Sequence, residues 1–158
     1  MSRVIELASP IIKEFEGKKL TAYLCPAGKW TIGYGSTFYE DGTPVKKGDK
    51  ITDLRAETLL LFVAASFEKG VRSLVKSKCN DFQLAALLSF SFNVGLDIDA
   101  DTKAEGLGDS TLLRLVNANP NNHSIRAEFM KWNKAGGRVL NGLTRRRKAE
   151  ADLYFKGV

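Results

Sequence analysis

The chain has 158 residues, 44% hydrophobic and 27% charged, the proportions of a soluble globular protein rather than a disordered or fibrous one. No apolar run approaches the roughly 18 residues of a membrane span, and the charged, site-less N-terminus gives no expectation of a secretory signal. The net charge of +6 favours polyanionic partners, of which nucleic acid is the plain candidate, but charge alone does not choose among them.

The first element expected is a helix over Val4–Phe15. Ile5, Leu7, Ala8, Ile11, Ile12 and Phe15 recur near helical spacing, and Gly17 is a natural stop. Pro10 is the misfit: it should kink the helix or open a second piece. Glu16 then lies at the helix C-terminus, where the dipole disfavours a carboxylate and helps keep a carboxyl protonated, as a general acid must be. The bland alternative is a solvated glutamate among Lys13, Glu14 and Lys18.

Two strands follow, Leu20–Leu24 and Trp30–Tyr34, around the turn residues Pro26-Ala27-Gly28. Glycines punctuate the chain as far as about residue 50, which indicates a small antiparallel sheet with room for close approach of a ligand. Glu16, Cys25 after eight intervening residues and Thr31 after five more place a carboxyl, a thiol and a hydroxyl in one short stretch.

From Leu54 to Val75 the period becomes helical, with Thr52 or Asp53 as cap. A helix of that length joins the sheet to the remainder and forms the back of a cleft, and Gly70 weakens it locally. Cys79 is expected to be an inert, partly buried thiol. Phe82–Val94, capped by Asn80 or Asp81, is the central core helix. Leu96–Gly108 alternates acids like a calcium loop, but Thr102 and Gly108 replace the required glycine and bidentate acid, so a mobile surface loop is expected. Short helices to Asn117 and over Ile125–Trp132 follow, Ala135-Gly136-Gly137 breaks the second, and Leu143–Phe155 closes the chain. In the run Arg145-Arg146-Arg147-Lys148 most side chains are expected in solvent, since consecutive residues cannot share one helix face. The run lacks the aromatic interleaving of a nucleic-acid patch, so no nucleic-acid partner is expected. No metal site is expected either, because Cys25, Cys79 and His123 are not paired at ligand spacing.

The stretch EGKKLTAYLCPAGKWTIGYGST resembles the signature of phage-type lysozymes, the endolysins of glycoside hydrolase family 24. FSFNVG at 90–95, STLLRLVN at 110–117, FMKWNKAGG at 129–137 and GLTRRRKAE at 142–150 resemble further blocks in the family's order. Two positions depart from it: Cys25 stands where an aspartate is usual, as in some members, and Ser36 replaces a histidine.

The resemblance implies an α+β, mostly helical, lysozyme-like fold in a single catalytic domain over 1–158. Its β lobe runs over about 14–52, its linking helix over about 53–76, and its helical lobe over about 77–158 together with the N-terminal helix. It implies a muramidase without cofactor, cutting the β-1,4 bond between N-acetylmuramic acid and N-acetylglucosamine in peptidoglycan. Glu16, Cys25 and Thr31 would be catalytic, and Phe92, Thr111 and Arg145 would contact the saccharide. The protein would act as a monomer, made in the host cytoplasm and released to the wall by another protein. A thiolate at Cys25 needs a lowered pKa, for which Lys29 or another cation is the expected cause. The alternatives are a wall-binding protein that has lost activity with the aspartate, and a cysteine peptidase or amidase pairing Cys25 with His123.

Overall fold

The computed structural model describes residues 1–157. Helix α1 (Arg3–Glu16) is followed by strands β1 (Lys19–Leu24) and β2 (Trp30–Gly33). The helices α2 (Asp53–Leu74), α3 (Asp81–Val94), α4 (Thr111–Ala118) and α5 (Ile125–Met130) come next. A short hairpin, β3 (Lys134–Ala135) and β4 (Arg138–Val139), then leads to α6 (Asn141–Phe155). This is the mostly helical α+β architecture expected, with a small sheet set beside the helices.

Local chemistry accounts for most boundaries. Ser2, Thr52, Asn80 and Ser110 each cap a helix through their side chains, and Asn80 forms a full capping box with Gln83. Pro10 does not open a second piece: α1 runs without interruption from Arg3 to Glu16 with the proline inside it. It lies on the exposed side, where water can serve the Glu6 carbonyl that its missing N–H leaves free.

The sheet is β1 antiparallel to β2, with an irregularity between Lys19 and Tyr23. Residues 49–51 border β1, since the Ala22 amide donates to Asp49 O and the Ile51 amide to Leu20 O. Ile32, Val45 and Leu59 form the small core beneath it. The main core centres on α3, which packs against α1, α2 and α6 and is buried without interruption from Gln83 to Ser91. Helix α2 serves both: Leu59 joins the small core, while Ala56, Leu60 and Ala64 join the large one.

Two expectations are corrected. Gly70 is there to make room, because a Cβ on it would lie 2.3 Å from Leu96 Cδ1. The 96–108 segment is anchored rather than loose at its base. The Leu107 amide donates to Gly95 O, the Gly108 amide donates to Leu96 O, and Leu107 is fully buried. Residues 98–105 are exposed, and Asp97, Asp99 and Asp101 accept from backbone amides within the loop.

Candidate active site

Glu16 is the last residue of α1, and Gly17 ends the helix with φ +70°. The Glu16 side chain is 21% exposed, and its Oε1 accepts from Arg146 Nη1 at 2.7 Å. The β region reaches it at Gly35: a Cβ there would sit 3.2 Å from Glu16 Oε2, at φ +92°. A glycine at this point therefore lets the TIGYG turn close on the carboxyl. A recess of about 360 Å³ opens beside it, lined by Glu16, Asn93, Leu140, Leu143, Arg145 and Arg146 among others.

Arg146 brings an opposite charge to Glu16 that the helix-terminus argument did not include. Its guanidinium is almost fully buried and makes two further bonds, Nε to Glu150 Oε2 at 3.2 Å and Nη2 to Ser89 O at 3.0 Å. Ser89 Oγ donates to the same Glu150 oxygen at 2.6 Å. Arg147, also buried, donates from Nη2 to Asn93 Oδ1 at 2.7 Å and lies over the Phe90 ring. Arg147 Nε is 3.0 Å from Glu150 Oε1, yet neither atom makes a hydrogen bond. The pair is thus a Coulombic contact whose N–H points off line. Burial pushes the Arg147 guanidinium down to about 10 and the Glu150 carboxyl up, both partly offset by the opposite charge alongside.

The second group is built locally. Gly28 N donates to Cys25 O and Cys25 N to Lys29 O, closing the turn between β1 and β2. Cys25 is half-buried and Thr31, on β2, is buried. The Lys29 backbone amide, then the Thr31 hydroxyl, hold the Cys25 thiol below its usual value. The expected cation is therefore not the cause; Lys29 acts through its peptide N–H. Thr31 Oγ1 also lies 3.0 Å from Lys29 O, as donor. The Thr31 hydroxyl proton is engaged by that carbonyl, so it reaches Sγ only by turning away from it.

Cys25 and Thr31 thus share one hairpin, and Glu16 is tied to Arg146, with no hydrogen bond between the two groups among the described residues. Arg145 lines the Glu16 recess, with its guanidinium over the Phe15 ring. Phe92 is turned to Phe67 of α2, ring centres 5.3 Å apart, while its neighbour Asn93 takes the place at the recess. Thr111 opens α4 and accepts from Arg114, apart from the recess residues. His123 is exposed and stacks on Phe155, which gives Cys25 no imidazole partner. Cys79 beside Ser77 has a thiol raised by burial.

The expectation that most of the basic run is solvated is half wrong. Arg145 and Lys148 are exposed, but Arg146 and Arg147 are buried. The missed signal was Glu150, three and four residues on, which faces both arginines on one helix side. A pair of serines inside the apolar run of α3 was the other.

The phage lysozyme family model matches residues 13–150. The chain belongs to the phage lysozyme family. The family match covers both groups of the site and the Arg146–Glu150 network. An endolysin of Bacillus phage B103 is 40% identical over 93% of the chain, although the chain spans only 52% of that relative's length. An endolysin of Acyrthosiphon pisum secondary endosymbiont phage 1 is 36% identical over 91% of the chain and 92% of its own length. Among solved structures, the endolysin from Escherichia coli O157:H7 phage FAHEc1 matches with a TM-score of 0.81 at 34% identity. That match covers 100% of this chain and 94% of the other.

Proposed function

We propose that this chain is an endolysin-type muramidase that hydrolyses the β-1,4 bond between N-acetylmuramic acid and N-acetylglucosamine in bacterial peptidoglycan. The observation that carries the reading is the Glu16 carboxyl at a helix end, closed over by Gly35 and open to a recess, on a chain of this family. Glu16 gives its proton to the glycosidic oxygen as the bond to C1 breaks. The thiolate of Cys25 assists the second half, taking a proton from the attacking water or attacking C1 itself. Its lowered pKa supports that role, since only the thiolate can act. Thr31 holds the attacking water or the thiolate through its mobile hydroxyl proton. Arg145, at the recess mouth, contacts the saccharide; the packing of Phe92 and the position of Thr111 give these two less direct support.

Residues 1–158 form one catalytic unit that works as a monomer. The basic surface draws it to the anionic wall, which it reaches from the host cytoplasm with another protein's help. No helix among the described residues is long and apolar enough to cross a membrane.

Mass spectrometry of digested walls is the decisive test. New reducing sugars are expected; freed peptides would indicate an amidase instead, and no products would indicate a binding protein. Glu16→Gln should abolish the sugar products while the circular dichroism spectrum stays native, because an amide cannot donate the proton. Undiminished cleavage by that folded variant would remove the mechanism.

A further inference from the structure

We propose that Glu150, together with Ser89, is a positioning residue for Glu16: it fixes the Arg146 guanidinium and thereby the orientation and charge balance of the carboxyl at the recess. The kinetic part of this inference rests on the muramidase reading.

Three bonds leave Arg146 little freedom. A planar guanidinium bound at Nη1 by Glu16, at Nε by Glu150 and at Nη2 by Ser89 O cannot rotate without breaking at least one. Ser89 clamps the opposite side of the same unit, since its carbonyl accepts from Arg146 while its hydroxyl donates to Glu150. Both lie in the fully buried centre of α3 and α6, where nothing but a partner replaces lost water.

The charges balance only as a set. Arg146 and Arg147 are two buried cations; Glu150 and Glu16 are the two carboxylates beside Arg146, and of these four groups Glu16 is the one that reaches solvent. With Glu150 ionised, Arg146 is shared between two anions. Were Glu150 neutral, both guanidiniums would bear on Glu16 alone and hold it as the carboxylate to lower pH. The other charged groups near the recess are Arg145 on α6 and Glu14 on α1. Helix α3 brings the neutral Ser89 and Asn93 to the two arginines, and the turn approaches Glu16 at Gly35. Lys13 is engaged by Glu57.

The test combines kinetics on soluble peptidoglycan fragments with a carboxyl carbon-13 NMR titration of Glu16. Glu150→Gln keeps the size and removes the charge. It should lower kcat about tenfold or more with KM within about twofold, and move the alkaline limb of activity to lower pH. The Glu16 resonance should titrate at lower pH than in the wild type. Glu150→Asp restores the charge and should return both the limb and the resonance toward their wild-type positions, which a purely structural role would not require. A folded Glu150→Gln with wild-type kcat, limb and titration overturns the proposal. If that variant fails to fold, Ser89→Ala decides: it keeps every charge and the carbonyl acceptor, and should lower kcat about threefold by loosening the clamp. Wild-type kcat in Ser89→Ala would then overturn it. A wild-type protein that releases no reducing sugars sinks the muramidase reading instead, and the NMR titration still decides the coupling.

Discussion

The Glu16 carboxyl is held from 130 residues away, by Arg146 on the last helix, whereas the Cys25 thiol takes its setting from Lys29 and Thr31 in the same hairpin. The first arrangement uses buried charge: α1, α3 and α6 must all be docked before Arg146 can meet its partners. The second uses backbone geometry, since a turn that brings a peptide N–H to Sγ sets the thiol without any long-range contact. A mutation in the helical core should therefore disturb the acid and spare the thiol, and a mutation in the hairpin should do the reverse.

The widest break expected is Arg146→Met. It leaves Glu150 in the core with the Ser89 hydroxyl and the off-line Arg147 as its remaining partners and leaves Glu16 without its ion pair. Removing one partner of a buried pair costs about 3–5 kcal/mol, so thermal unfolding should shift by many degrees and activity should nearly vanish. In the protein that remains folded, the pH dependence of Cys25 alkylation should match the wild type. A changed Cys25 profile would show that the two settings are not independent.

Next is Cys25→Ala, which should lower turnover about 10²–10⁴-fold while leaving the melting temperature nearly unchanged. Cys25→Asp should keep activity and extend it to lower pH, since aspartate ionises near about 4 and cysteine near about 8.5. The sign follows from the base form being the active one: activity rises with pH through the thiol's ionisation, and the Lys29 amide and Thr31 hydroxyl place that rise below the ordinary thiol range. Near-normal turnover by Cys25→Ala would end the catalytic-thiol hypothesis.

Gly70→Ala sharpens the contrast from outside the site. Its methyl would meet Leu96 Cδ1 at 2.3 Å, so the end of that side chain must turn aside, and alanine's helix preference of about 1 kcal/mol offsets part of the cost. Stability measured in urea should change by less than about 2 kcal/mol, and the pH profile of activity should stay put, because neither group of the site touches α2 at Gly70. The smallest effect should come from trimming residues 99–103 at the exposed loop tip, which alters loop closure by less than about 1 kcal/mol. A loss of activity in that trimmed but stable protein would place the tip beside the substrate.

The same division explains what could be read from the sequence. Glu16, Cys25 and Thr31 stand out in the sequence through the spacing of the family motif, Glu16 also through the helix stop beside it, whereas the peptide N–H that sets the thiol does not show there. The caps and the centrality of α3 are legible because their signals are local. Burial of Arg146 and Arg147 was not, since consecutive cations look solvated until Glu16, Ser89, Asn93 and Glu150 arrive from three helices. The β3–β4 hairpin was hidden behind a wrong reading of Gly136-Gly137. Those residues do more than break a helix: both adopt positive φ, +59° and +78°, and turn the chain back on itself in a two-residue hairpin. Phe92 packs on Phe67, while Asn93, one position and a turn of about 100° further round the helix, lines the recess.

The opposite setting of the two thiols has a practical consequence. The hairpin lowers Cys25, burial raises Cys79, and thiol-reactive probes attack the thiolate. A maleimide fluorophore applied briefly at slightly acidic pH should therefore settle on the hairpin without any engineered cysteine. Its emission would report on the surroundings of that hairpin as wall fragments are added, so that the natural chain carries its own optical reporter.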